Sequence, residues 1–536
     1  MPGTKADAQA KPLAQDSEEL VREGLSSVTK GTLFLLVSTL LLVALNFVSR
    51  VLVVRSISTS DWSSFSFGLT LTGVLIAIGS IGLPSSIARS IPYVSTDAER
   101  RTIVRSTLWI GGASAVIAGA LLYALSGPIG QSLGSPGITV SLRFFSIAVG
   151  SGILATLIAS IFQGFEDVTP NALFVQIVNP SLFVIFLTLG FALPSIGITL
   201  NEALIAYAAS NVVTLGLLVL YLARQLPGYL TPGPLAPEAL PRLLRFAAPL
   251  FVVGVMSSIT GSGDTLVLGT FHPSSVGVYT ASLTLSRLVP IGIGAASYIF
   301  LPVASRFVRA SDATSVGVTY ATVTKWMSLV SVPLFLVFFF LPSRSLEFVY
   351  GPGYAGQVVP LQITVVAAFI TTILGPAAVA QVAFGQTRLL TVNAIVAGVV
   401  DILVALALVP GNGPTGGYVG AAIAWSSANA AYSLMCLVEL GWLTGVHPFR
   451  WHFVLPFVTT LVPVGVLLGV LHPRIPLWGL PPLAIGIALL FVLAVLVTRS
   501  IDEGDRLLLE AVERLFGRPL PFFRRLGRWA LRSPRP

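Results

Sequence analysis

Six ionisable side chains fall inside stretches that are otherwise apolar: Arg50, Arg143, Asp264, Arg287, Asp401 and Glu439, with Arg89 at the end of a seventh stretch. A charge at the bilayer centre costs about 2.5–3.5 kcal/mol on insertion scales, so residues of this kind usually face a cavity or a partner. Arginine offers a planar fork of donors that stays protonated, which suits a phosphate or carboxylate in a dry site. Arg50, Arg89 and Arg287 together would suit an anionic head group. Asp264 and Asp401 would suit a coupling cation, Na⁺ or a proton, with Asn393 and Thr265 adding the oxygen ligands that a Na⁺ site needs. The competing assignment is structural: Arg287 pairs with Asp401, while Arg50, Arg55 and Arg89 snorkel to the interfaces.

Other chemistries find no support. There is no GxxxxGK[ST], GxSxG or HExxH, and the glycines of YGPGYAG, 350–356, open no nucleotide-binding unit. One cysteine and four histidines exclude an internal disulfide and argue against a multi-ligand metal centre. No catalytic residue and no organic cofactor are expected, and the energy source is an ion gradient, the membrane potential or the substrate's own gradient.

The elements that carry these residues follow from composition. The chain has 536 residues, 54% of them apolar and 10% charged, against about 25% charged in soluble domains. Twenty-two acids and 31 bases cannot cover several soluble cores. The pattern predicts an all-α polytopic membrane protein. Runs of about 20 apolar residues, the length that spans hydrocarbon, recur at 31–54, 66–88, 105–125, 139–163, 169–192, 201–223, 244–268, 276–302, 319–342, 358–384, 389–409, 417–443, 452–472 and 478–499. That gives about 14 transmembrane helices, and the runs lack the strict alternation of barrel strands. The net charge of +9 is read as topology rather than nucleic-acid binding. With both termini inside, the inner loops hold Arg100, Arg101, Arg242, Arg306, Lys325, Arg388 and other bases, and the outer loops only Arg55, Arg344 and Arg474.

The chain also repeats. Residues 50–74 align without gaps onto 264–288, a 214-residue offset that equals six predicted helices. A six-helix unit returns the chain to its starting side, so the copies are parallel and related by an axis along the membrane normal. The expected organisation is a polar N-terminal tail at 1–30, an N-lobe at 31–224, a linker with five prolines at 225–241, a C-lobe at 242–445, a helix pair at 446–499 and a basic amphipathic tail at 500–536 suited to anionic lipid. The two lobes would enclose a central cavity. Pro249, Pro290, Pro302, Pro333, Pro360 and Pro376 lie in or near the second lobe's helices, where proline permits bending and is also tolerated without consequence.

Four segments carry a family resemblance: RVLVVRSISTSDWSSFSFG at the first helix, RFAAPLFVVGVMSSITGSGDTLVLGTFHPSSVGVYTAS (245–282), FVYGPGYAGQVVPLQI (348–363) and DILVALALVPGNGPTGGYVGAAIAWSSANA (401–430). Over about 31–445 the chain resembles the polysaccharide-export flippases of the multidrug/oligosaccharidyl-lipid/polysaccharide exporter superfamily. The resemblance implies a V-shaped pair of six-helix lobes in the cell membrane. It implies translocation of an oligosaccharide linked to a polyprenyl phosphate or diphosphate from the inner to the outer leaflet. It places Arg50, Arg89 and Arg287 on the first, second and eighth helices, where the family's phosphate-binding arginines lie. It places Asp264 and Asp401 on helices 7 and 11, beside the Na⁺ site of some relatives, although the slot of Asp401 is often Asn. Membrane lipids and glycan-assembly enzymes are the expected partners, the chain itself being a monomer. The alternatives are a cation-coupled multidrug exporter of the same superfamily and a non-transporting scaffold of glycan synthesis.

Overall fold

A computed structural model describes residue 34 and residues 37–192, 198–231, 236, 238–449, 451–471, 475–501 and 505. The N-terminal tail, most of the basic C-terminal tail, Arg450 and Arg474 lie outside the described residues. The protein is all-helical and polytopic, with no strand among the described residues.

Six helices build the N-lobe: α1 (Val37–Ser56), α2 (Thr59–Tyr93), α3 (Asp97–Ser132), α4 (Pro136–Gly164), α5 (Asn171–Gly190) and α6 (Leu200–Gln225). The C-lobe holds α7 (Ala239–Thr260), α8 (Gly263–Phe271), α9 (Val276–Ser286), α10 (Ile291–Arg309), α11 (Ala313–Phe340), α12 (Val358–Ala383), α13 (Thr387–Leu408) and α14 (Gly417–Thr444). The chain continues into α15 (Trp451–Leu471) and α16 (Leu477–Val497), which pack on α11. Twelve of the described helices are long and apolar enough to cross a membrane, and Val454–Val470 forms a further apolar stretch.

Local signals set the ends. Ser58 caps α2 through Asp61 N (3.1 Å), Thr96 caps α3 through Glu99 N (3.4 Å), Asp312 caps α11 through Ser315 N (3.0 Å), and Thr199 with Glu202 forms a capping box on α6. Such caps carry helices beyond the hydrocarbon. α3 has 36 residues, roughly 54 Å at 1.5 Å per residue, so it outruns the apolar run at 105–125.

Four predicted runs are interrupted: 66–88 at Ser80–Gly82, 358–384 at Gly375, and two that bear on the site. The run 244–268 divides into α7 and α8 at Gly261–Ser262, and the run 276–302 divides into α9 and α10. Pro290 explains the second break: it has no N–H to give the carbonyl of Ser286, and the chain turns through Arg287–Pro290 before α10 begins. Apolar composition alone could not show either break, because the segments on both sides remain apolar.

The lobes meet at both ends, so they do not splay into a V. The end that carries Arg100, Arg242 and Arg309 is called here the base-rich face. At the opposite face α2 packs on α9: Trp62 Nε1 donates to Gly277 O (3.0 Å), Gly277 N to Ser63 Oγ (2.9 Å) and Thr280 Oγ1 to Ser66 Oγ (3.1 Å). The last two pairs are each separated by 214 residues, the offset of the repeat. Equivalent positions that touch must lie beside the axis relating the copies. Nearer the base-rich face α2 and α3 pack on α7: Ser86 Oγ of α2 donates to Leu243 O (3.0 Å), and Glu99 of α3 pairs with Arg242 at 3.7 Å. Gly82 makes this approach possible. It sits at φ 67°, and a Cβ there would lie 2.4 Å from Ala247 O and 2.6 Å from Phe251 N.

Lys325, expected in a loop, is instead buried on α11. Its Nζ donates to Asp505 Oδ2 and Ser500 O, both at 2.7 Å, and Trp326 Nε1 donates to Asp505 Oδ1 at 2.6 Å. The pair ties the chain beyond α16 to α11, and the carboxylate supplies the countercharge that a buried ammonium requires.

Candidate functional site

The breaks after α7 and after α9 lie side by side. A break exposes backbone groups that hydrocarbon cannot satisfy, so protein groups must do so. Arg287, on the turn after α9, donates through Nη2 to Gly261 O at the end of α7, at 2.8 Å. It lies 11 residues from the start of α9, roughly 16 Å and so near mid-bilayer. The side chain is nevertheless exposed. Open space also surrounds the positions where Cβ atoms of Gly73 on α2, Gly254 on α7 and Gly294 on α10 would stand.

Arg50 reaches across from the N-lobe. Its Nη1 donates to Thr284 Oγ1 on α9 at 2.9 Å, and its charge and that of Arg287 act on one another. The repeat aligns Arg50 with Asp264, so equivalent positions of the two lobes carry opposite charges. Arg89 does not join them. It lies four residues from the end of α2 at the base-rich face, exposed, its guanidinium 4.2 Å from the ring centre of Phe246. The expected three-arginine cluster is therefore a pair, with the third residue at the far end of a 35-residue helix.

Behind the arginine pair lies a buried acid pair. Asp264 and Asp401 are both fully buried. Asp401 Oδ2 accepts from Asp264 N at 3.1 Å and so caps the N-terminus of the half-helix α8. Gly263 permits the approach, since a Cβ there would lie 2.8 Å from Asp401 Oδ2. Asp264 Oδ2 accepts from Thr265 Oγ1 (3.2 Å) and from the hydroxyl of Tyr279, which lies 3.4 Å from Ala421 O on α14. Among the described residues Asp264 Oδ1 and Asp401 Oδ1 have no hydrogen-bond partner, and Asp401 and Arg287 form no ion pair. Two orphaned carboxylate oxygens beside a hydroxyl make a hard, oxygen-only donor set. It fits an alkali cation or a bound proton, either of which would offset the cost of buried, unpartnered charge.

Asn393 lies elsewhere. Its Nδ2 donates to Glu439 Oε2 at 2.7 Å, and eight residues of α13, roughly 12 Å, separate it from Asp401. Thr265, by contrast, is part of the acid pair. Arg143 is exposed on α4. Sequence reasoning missed Tyr279, Thr284 and the Gly261 carbonyl. Only Thr284 left a signal, as one of the identical pairs of the repeat with Thr70. The N-lobe adds a polar cluster of its own on the π-helical turn Asn171–Val178, where Gln176 Oε1 accepts from Ser38 Oγ (2.9 Å) and Thr39 Oγ1 (3.1 Å) of α1.

Comparison with known proteins agrees with this architecture. The sequence profile of a family described as "Polysaccharide biosynthesis protein" matches residues 28–308. Among solved structures, the lipid II flippase MurJ in its inward closed conformation has a TM-score of 0.66 at 14% identity, over 86% of this chain and 98% of that one. A multidrug resistance MATE family transporter of the MOP superfamily, inward-facing, has a TM-score of 0.60 at 14% identity, over 75% of this chain and 94% of that one. At such identities the likeness establishes the fold, that of MOP-superfamily transporters. No curated protein matches the chain by sequence.

Proposed function

This chain belongs to the polysaccharide biosynthesis protein family, and on that premise we propose that it is a flippase for a lipid-linked oligosaccharide, moving it from the cytoplasmic to the outer leaflet of the cell membrane by alternating access. The observation that carries the reading is Arg287: an exposed guanidinium at mid-bilayer, on a helix break, with Arg50 of the other lobe within electrostatic reach. A sugar chain cannot enter hydrocarbon, because each buried unpaired polar group costs about 2–7 kcal/mol. A polar interlobe space lowers that barrier, and two arginines there would hold a polyprenyl phosphate or diphosphate while the prenyl tail stays in lipid. Arg89 would meet the head group first, at the base-rich face, which we assign to the cytoplasm by its arginines. Asp264 and Asp401 would take the coupling Na⁺ or proton. Their contact with the N-terminus of α8 makes occupancy of the pair a way to move the break that Arg287 also holds.

In this reading the chain is a transporter rather than an enzyme and works as a monomer beside glycan-assembly enzymes. A multidrug exporter for organic cations would need acids exposed to its substrate, whereas Asp264 and Asp401 are fully buried and Arg287 is exposed. The test is translocation of polyprenyl-phosphate- and polyprenyl-diphosphate-linked oligosaccharides in proteoliposomes. Wild type should flip one of them, and Arg287→Ala, shown to be folded, should lose at least ten-fold in rate. Equal rates would remove Arg287 from the site. No flipping of either lipid by folded wild type would overturn the function.

A further inference from the structure

A second polar cluster lies in the C-lobe, toward the base-rich face. Glu439 stands five residues before the end of α14, Asn393 six residues after the start of α13, and Gln381 two residues before the end of α12. Both amides aim at one carboxylate oxygen: Asn393 Nδ2 donates to Glu439 Oε2 at 2.7 Å and Gln381 Nε2 at 2.9 Å. Gln381 Nε2 also donates to Cys436 O at 3.2 Å, and Asn393 Nδ2 lies 3.6 Å from Cys436 Sγ. These donations fix which way each amide is turned. They leave Asn393 Oδ1 and Gln381 Oε1 buried with no partner among the described residues, each bonded to the same carbon as an amide nitrogen that touches the carboxylate. Among the described residues no base pairs with Glu439.

The arrangement lacks positive charge. One carboxylate is balanced only by two amides, and two further buried oxygens accept nothing. Leaving a buried acceptor unsatisfied destabilises the fold. We propose that Glu439, Asn393 and Gln381 form a binding site for an alkali-metal cation, separate from the Asp264–Asp401 pair. The donors are hard oxygens, which suit Na⁺ or K⁺ and not a soft metal. A single carboxylate, here half-buried, neutralises a monovalent ion, and a divalent one would remain in net charge excess beside the two buried amides. Three helices converge on the ion, so binding would pin the base-rich ends of α12, α13 and α14 together. The site rests on no part of the flippase reading.

The test is the melting temperature of the purified full chain, titrated with NaCl or KCl against N-methyl-D-glucamine chloride at constant ionic strength. Asp401→Asn, which disables the acid pair, should still show a saturable rise specific to the alkali cation, and adding Glu439→Gln in that background should abolish it. A rise of the same size in the Asp401→Asn, Glu439→Gln double variant, or no cation-specific rise in Asp401→Asn, would overturn the site. Gln381→Leu keeps the carboxylate and removes one ligand. In the Asp401→Asn background it should increase the half-saturating cation concentration at least five-fold, and an unchanged value would also overturn the proposal.

Discussion

Asp264 and Arg50 show how little one residue's type decides without its neighbours. They occupy equivalent places in the repeat, yet one is sealed against α13 and α14 and the other reaches a hydroxyl of the opposite lobe. The acid pair depends on Gly263, because any Cβ there meets Asp401 Oδ2 at 2.8 Å and Ile259 Cγ2 at 3.3 Å. Gly263→Ala should therefore push Asp401 off the Asp264 amide and destabilise the protein by about 1–3 kcal/mol, read as a lower melting temperature. An unchanged value would mean that α8 shifts freely, and the contact would then not define the site. The types of Asp264, Asp401 and Arg287 were legible in sequence as costly residues in apolar runs. The partners Tyr279 and Gly261 O were not, because a tyrosine 15 residues away and a carbonyl carry no mark in a sequence.

At the scale of elements, caps and breaks matter more than hydropathy. Asp312 ends the turn between α10 and α11 and accepts from Ser315 N and from the Ser315 hydroxyl. Those donors hold its carboxyl below the usual carboxylate range. A group with a depressed folded pKa stabilises the fold fully above its unfolded pKa, and that contribution is lost as pH falls through the folded value. Asp312→Ala should thus melt earlier than wild type at neutral pH, and the gap should close in acid below the ordinary carboxylate range. A gap that stays constant with pH would show that the cap acts without its charge. The breaks between α7 and α8 and between α9 and α10 have the larger consequence. Half-helices leave a carbonyl for Arg287 and an amide for Asp401 at one depth of the bilayer. A continuous helix through Gly261–Ser262 would offer neither.

At the scale of the molecule, contacts at both ends hold the lobes closed, and alternating access requires one set to part while the other stays. Ser66 and Thr280 meet across the repeat axis with their hydroxyls 3.1 Å apart. In a chain with Cys436 replaced, Ser66→Cys with Thr280→Cys should form an oxidant-dependent cross-link that stops transport and releases it on reduction; transport that persists in the cross-linked protein would place the moving contact elsewhere. The sequence by itself determined the solvent, the helices and the repeat, since apolar runs of membrane-spanning length and a constant 214-residue offset are local or linear properties of the chain. It also marked the charges that hydrocarbon makes expensive. Only the tertiary structure decided which charges meet. Arg50, Arg89 and Arg287 look alike in sequence, but position along the helix puts Arg89 at the far end of α2 from the other two. Asn393 and Asp401 share α13, but a rise of roughly 1.5 Å per residue separates them into two sites. Depth and facing depend on how helices pack and where they break, and one face of an evenly apolar helix is not distinguished from another until its neighbours are in place.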